Sequence, residues 1–249
     1  MSQNLSIEKI KIFENEFIQF MGIKDFPAYQ LTTKEVSLAI ADSRGFDSAA
    51  STFYNPKNNI HTLQISTNLI LSKYLVFHEF THILDADMYA NGDSTKYAGL
   101  SGYTEYHASQ IELMQLLGTK TATDKISFEM NTIISTFSGD KSVAQYIREK
   151  QQHAIQLFSR ADFPADINTL KSAFGVLYNY WGLRSICKMY ASDYVEEVQN
   201  DAFLQFIPTM NFCLMNIMMH GWLDKQNIEK SIPLYINTLF PLIEKYKLI

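Results

Sequence analysis

Five consecutive residues carry the strongest chemical signal in this chain: His78, Glu79, Phe80, Thr81 and His82. On an α-helix, side chains four apart share a face and stand about 5–6 Å from one another, so the two imidazoles can grip one ion. Zinc suits such a pair, because it accepts neutral histidine nitrogens and, in hydrolytic sites, keeps one tetrahedral position for water. A carboxylate directly after the first histidine, as Glu79 is, can take the proton of that water while the metal lowers its pKa. With 6 histidines in 249 residues, chance would produce the pattern about 0.007 times per chain, which makes it specific. The flanks, Tyr74 to Phe77 and Ile83 to Leu84, are mostly apolar, and imidazoles on a buried helix need hydrogen-bond partners or a metal.

Zinc of this kind requires a third protein ligand. Glu105, 23 residues after His82 and in the first turn of the next expected helix, is the best candidate. Asp85 and Asp87 lie too close along the same helix to complete a tetrahedron, but Asp85, seven residues from His78, is a candidate to orient that ring from behind. Asp93 sits on a glycine-flanked stretch and reads as turn chemistry. His107 points roughly 200° away from Glu105 around a helix, so the two cannot face one ion. Glu112 shares a face with Glu105 and Ser109 and is a second supporting candidate. A three-histidine site would need histidine at position 88, where Met88 stands, and this favours a His-His-Glu set. Tyr103, Tyr106 and His107 lie near the third ligand in sequence and are candidates for stabilising an oxyanion, but among 33 aromatic residues a core or surface role is the favoured reading and none is assigned.

The elements that must position these groups can be read from period and punctuation. Residues 5 to 21 repeat apolar side chains at the helical period, and Thr33 to Asp42 suggests a second short helix. Ser51 to Tyr54 and Ile60 to Ser66 are β-rich around the turn Asn55 to Asn59, which predicts a hairpin. The strand Ile60 to Ser66, alternating polar and apolar, suits an edge with which a peptide could pair. Helix returns at about Asn68, capped by Ser66 or Thr67, and runs to about Asp87. Tyr89 to Tyr103, with Gly92, Gly99 and Gly102, reads as a long surface loop, after which Thr104 caps a helix that Gly118 ends.

Beyond Gly118 nearly everything reads helical, with breaks near Ser138 to Asp140, Asp162 to Pro164 and Pro208, and a capping box at Asp193 and Glu196. The expected fold class is α+β. Residues 1–120 form a unit with a small sheet and the active-site helix, and residues 121–249 an all-helical domain or extension packed on it.

Composition narrows the partners. Lys and Arg total 21 against 26 Asp and Glu, and no basic run appears, so direct nucleic-acid binding is not expected. The two cysteines, Cys187 and Cys213, suit reduced thiols rather than a disulfide framework. The start of the chain lacks a basic segment followed by an apolar run, and the most apolar window, Phe203 to Leu223, is broken by polar residues. These features predict a cytoplasmic protein with no membrane span. The methionines between Met210 and Met219 read as adaptable core packing.

The order of hairpin, His-Glu-x-x-His helix and a following segment with Glu105, Ala108 and Ile111 resembles the ImmA/IrrE family of zinc metallopeptidases over about residues 30 to 117. The resemblance implies a zincin-like domain and peptide hydrolysis, with Zn2+ on His78, His82 and Glu105 and Glu79 as the base. It also implies a protein substrate, such as a repressor of a prophage or mobile element. Residues 121–249 have no counterpart in that resemblance. The competing function is a non-enzymatic protein that binds a partner and uses zinc only to hold its first half together.

Overall fold

The computed structural model describes residues 3–36, 49–196 and 200–248, within which helices and two small sheets form a mixed α+β architecture. The apolar period at the start does form a helix, α1 (Gln3–Met21). Its buried Phe17 and Phe20 meet Phe77 and Phe80 of helix α2 (Lys73–Asp85), with the Phe17 and Phe77 ring centres 5.2 Å apart. Aromatic pairs add about 0.5–1.5 kcal/mol each beyond their area burial. They hold the back of the helix that carries His78 and His82.

Three strands, β1 (Tyr29–Lys34), β2 (Ala50–Asn55) and β3 (Ile60–Ser66), form a sheet in the order β1-β3-β2. β2 and β3 are the expected hairpin, with Thr52 opposite Leu63. The strand Ile60–Ser66 is not an edge, however, because β1 pairs with it in parallel from Tyr29 and His61 to Lys34 and Ser66. Among the described residues, β2 is the edge strand on the opposite side of the hairpin. Thr33, expected to open a helix reaching Asp42, lies in β1, where a β-branched side chain suits the pleat; residues 37–42 lie outside the described residues.

Helix α2 begins at Lys73 rather than at Asn68. Ser66 Oγ accepts from the backbone N–H of Asn68 and Leu69, and the Asn68 side chain bonds both N–H and C=O of Val36. Such local side-chain bonds compete with helix formation. Beyond α2 the chain keeps turning through a π-helical turn, Ala86–Ala90, and reverses at Asn91 and Gly92, both at positive φ.

The expected loop Tyr89 to Tyr103 is mostly helix. Asp93, whose Oδ1 accepts from the N–H of Thr95 and Lys96, caps α3 (Ser94–Leu116), so Thr104 lies inside this helix rather than at its cap. Gly99 and Gly102, the cause of the misreading, are close-approach residues. A Cβ on Gly99 would stand 2.5 Å from Ile232 Cγ2, and one on Gly102 2.6 Å from the Tyr178 ring. The C-terminal end is as expected: Gly118 is left-handed, and the N–H groups of Gly118 and Thr119 bond the carbonyls of Gln115 and Met114.

The second half is not all helical. Between Gly118 and the next helix, β4 (Ile133–Thr136) and β5 (Gly139–Ser142) form a hairpin, because the expected break at Ser138 to Asp140 is flanked by Ile133, Ile134 and Thr136, β-branched residues that favour strand over helix. Helices α4 (Val143–Phe158), α5 (Ile167–Tyr190), α6 (Asp201–Leu204), α7 (Thr209–Met218) and α8 (Lys225–Tyr246) follow, and the breaks at Asp162 to Pro164 and at Pro208 fall between them. Asp193 accepts from Met130 N–H instead of starting a helix, and residues 194–196 are not helical. Met215 and Met219 are buried as expected, whereas Met210 is exposed. No helix among the described residues is long and apolar enough to cross a membrane.

Helix α5 lies almost in backbone contact with α3. A Cβ on Gly182 would overlap the Tyr106 carbonyl oxygen and approach Ser109 Cβ to 2.9 Å. Neither neighbour can swing aside, one being backbone and the other a buried Cβ. Gly182→Ala is therefore expected to cost about 3 kcal/mol and to lower the melting temperature by roughly 10 °C. Thermal unfolding followed by circular dichroism checks this, and an unchanged midpoint would mean that α5 can stand off from α3.

Candidate metal centre

The helical period places His78 and His82 on one face of α2, with ring centres 4.8 Å apart. The capped start of α3 then sets Glu105 against them: Glu105 Oε2 lies 3.5 Å from His78 Nε2 and 3.7 Å from His82 Nε2. One donor atom from each residue falls within 4.8 Å of the other two. Ligands about 2.0–2.1 Å from a tetrahedral zinc stand about 3.3 Å apart. The two measured separations exceed that by a few tenths of an ångström, so this donor set fits the ion.

The far side of each ring supports the fit. His78 Nδ1 is 2.8 Å from Glu112 Oε2, and an ionised carboxylate only accepts, so Nδ1 carries the proton and Nε2 keeps its lone pair in the neutral ring. His82 Nδ1 is 2.9 Å from Thr104 Oγ1, a hydroxyl that can accept in the same way. Backing of this kind fixes the tautomer and orientation of metal-ligating histidines. Glu112 itself is held from the second half of the chain, where the Tyr146 hydroxyl donates to Oε1. Asn179 of α5 lies beside Glu105 in the same cleft and helps to lower its pKa, and Asn179 Oδ1 accepts from Ser109 Oγ at 2.7 Å.

Charge and burial oppose each other throughout the cluster. In the metal-free chain burial works against a charged His78, but hydrogen bonds and charge from Glu105 and Glu112 outweigh it and raise the pKa to about 10. Burial likewise pushes Glu105 up, and His82 and His78 reverse this to about 2. Glu112 is also lowered, its burial being overcome by Lys150, His78 and Tyr146. Glu79 alone is raised, because burial exceeds the pull of His82, His78 and the Thr52 hydroxyl, which donates to its Oε2 at 2.9 Å.

His78, Glu79, His82 and Glu105 open on one cleft of about 530 Å³, within the range of ligand-binding cavities. Strand β2 borders it with Ser51 to Tyr54. Tyr54 pins that strand by stacking on His61 and accepting from Gly92 N–H at 2.7 Å.

Several residues fall elsewhere than expected. Asp85 does not back His78; its carboxylate pairs with His107 Nδ1 at 2.9 and 3.2 Å, and Glu112 takes the place foreseen for it. Tyr103, Tyr106 and His107 do not line the cleft: Tyr106 Oη is exchanged with the backbone of Gly221, and Tyr103 stacks on His107. Asp87 lies 3.8 Å from His61, and Asp93 is a helix cap. Residues not singled out in the sequence also reach the site, namely Tyr146 by hydrogen bond and Asn179, Lys150, His153 and Lys171 as lining. The one readable trace was Lys171 and Asn179 at helical spacing on an otherwise apolar segment.

Two measurements test the centre. A zinc competition titration is expected to show affinity falling by about 10–100-fold in Asn179→Ala, the usual effect of removing a polar partner from behind a ligand. Because His78 must give up a proton that it holds to about pH 10, zinc affinity should also rise with pH, about tenfold per unit between pH 6.5 and 9. Insensitivity to both would place the ion elsewhere. Compared with family models, curated proteins and solved structures, the chain shows no match, and the case for its chemistry rests on these residues.

Proposed function

We propose that this protein is a zinc-dependent hydrolase of peptide bonds. The observation that carries the reading is the convergence of two imidazole Nε2 atoms and one carboxylate oxygen, each histidine backed at Nδ1, beside a half-buried carboxylate that is not part of the triad. Structural zinc sites are closed by four protein ligands, whereas catalytic sites use three. Three donors converge among the described residues, which favours catalysis over a zinc that merely holds the first half together.

When bound, zinc supplies Lewis acidity toward a carbonyl and lowers the pKa of water. The remaining work falls to the chain. Glu79 accepts a proton as water attacks the scissile carbonyl and returns it to the leaving amine. Its raised pKa suits a carboxylate that has to gain and lose a proton within one cycle. The Thr52 hydroxyl fixes Oε2, leaving Oε1 with no hydrogen-bond partner among the described residues. β2, an edge strand of the sheet among the described residues, borders the cleft with Ser51 to Tyr54 and can take an extended peptide alongside it, the role expected of Ile60 to Ser66.

The resemblance to ImmA/IrrE peptidases, carried by residues 78–82 and by Glu105, Ala108 and Ile111, supports a zincin-like reading of the first half. It also supports a substrate of the regulatory class, such as a repressor of a mobile element. The net negative charge and the absence of a basic run support action on protein rather than nucleic acid, in the cytoplasm.

Glu79→Gln removes the base and leaves the three donors in place. Zinc content by elemental analysis should stay at one per chain, while peptide hydrolysis falls by about 10²–10⁴-fold. Proteome comparison of cells expressing the native chain and this variant should show a regulatory protein disappearing only with the former. Equal hydrolysis by both forms would rule out Glu79 as the base.

A further inference from the structure

The cleft has a wall that the hydrolytic machinery does not use. Helix α4 contributes Lys150 and His153, one turn apart, and α5 contributes Lys171, Gly175 and Asn179, spaced four apart along one face. This stripe runs past the triad, since Asn179 lies beside Glu105 and a Cβ on Gly175 would stand 3.6 Å from Glu105 Oε1. Lys171 is four residues before Gly175, hence about 6 Å along the helix, the span of about two residues of extended peptide.

Among the described residues neither lysine makes an ion pair, although the charge of Lys150 also acts on Glu112 from a distance. Glu149, beside Lys150, is held by Lys141 at 2.6 Å, and Asp166, near Lys171, caps α5 through Thr169 N–H. The carboxylates that line the cleft, Glu79 and Glu105, are engaged by Thr52 and by the two histidines. In a chain of net charge -5, Lys171, which makes no ion pair among the described residues, and Lys150, whose charge is shared with Glu112 only at a distance, make this wall of the cleft a place for an anion from outside.

Resting on the peptidase reading, we infer that the α4–α5 wall selects peptides bearing a carboxylate within about two residues of the bond to be cut. The carboxylate can be an Asp or Glu side chain or the terminus of the substrate chain. An extended peptide lying along β2 would run past the zinc donors toward Lys171 and Lys150, so charge on the substrate sets its register.

Binding rather than turnover tests this, so the outcome does not depend on whether the site hydrolyses peptides. The full zinc-loaded chain carrying Glu79→Gln is titrated with fluorescein-labelled degenerate hexapeptides, blocked at both ends, with Glu or Gln at one fixed position. A third pool carries Gln and a free terminal carboxylate. The Glu pool should bind about tenfold more tightly than the Gln pool. Lys171→Gln on the same background should remove most of that difference while zinc content and melting temperature stay unchanged. Lys171 carries the decisive substitution because Lys150 also acts on Glu112.

The third pool identifies the source: it exceeds the Gln pool if chain termini are read, whereas the Glu pool exceeds it if side chains are. No preference for either carboxylate-bearing pool over the blocked Gln pool overturns the proposal. So does a preference that survives Lys171→Gln and Lys150→Gln together, since the anion would then sit on the metal. Absence of hydrolysis by the native chain would overturn the peptidase reading instead and would leave this preference measurable.

Discussion

Three carboxylates, Glu79, Glu105 and Glu112, are drawn wholly or partly out of water around two imidazoles, and the cost of that withdrawal organises the rest of the molecule. A buried carboxylate without partners would protonate. Glu112 and Glu105 escape this because each has both a histidine and a group from the second half of the chain: Tyr146 and the charge of Lys150 for the one, Asn179 for the other. Glu79 has a weaker set, one threonine hydroxyl and two histidines at a distance, and its pKa rises. The same burial thus yields two carboxylates that stay charged and one that can carry a proton.

This accounting explains why helices beyond residue 118 belong to the site although none of their residues is a ligand candidate. Helix α3 carries Glu105 and Glu112 two turns apart, and both require partners from beyond α2. Those partners can reach only if α5 comes close, which Gly182 permits at Tyr106. The glycines at 99 and 102 do the same for α8 and for Tyr178 of α5. Buried side chains from Ile10 to Ile243 accordingly belong to one hydrophobic cluster. Removing a methyl group at three positions on two helices lets a carboxylate-bearing helix be enclosed on several sides.

The same glycines mark where sequence reading succeeded and where it stopped. The spacing of His78 and His82, the hairpin, and the ending of α3 at Gly118 are local matters, decided by the helical period, by turn residues and by a left-handed glycine, so they were legible. Gly99 and Gly102 looked like loop residues because the reason for their presence, Ile232 and the Tyr178 ring, lies far away in the chain. The parallel pairing of β1 with β3 is equally nonlocal, and it turned an expected edge into the centre of the sheet. Asp85 was within helical reach of His78, and only the position of α3 decided that it would meet His107 instead. Glu105 and Glu112 were ranked correctly as neighbours on one face, but nothing local could name Tyr146 or Asn179 as what meets them.

A proton on His78 illustrates what the cluster is built to hold. With Glu112 at Nδ1 and Glu105 at Nε2, the ring is asked for positive charge from both sides, and without metal it answers by keeping a proton to about pH 10. That proton can satisfy Glu105 through one nitrogen only, and His82 Nε2, 3.7 Å from the same oxygen, is left to share it at a distance. A divalent cation held by the three donor atoms would meet all of them at once and would release the proton to solvent. The surrounding carboxylates, a liability in a dry core, would then favour a metal over a proton. Glu79, outside the triad and held only by the Thr52 hydroxyl and the more distant charge of the histidines, is the acid of the cleft whose pKa burial raises.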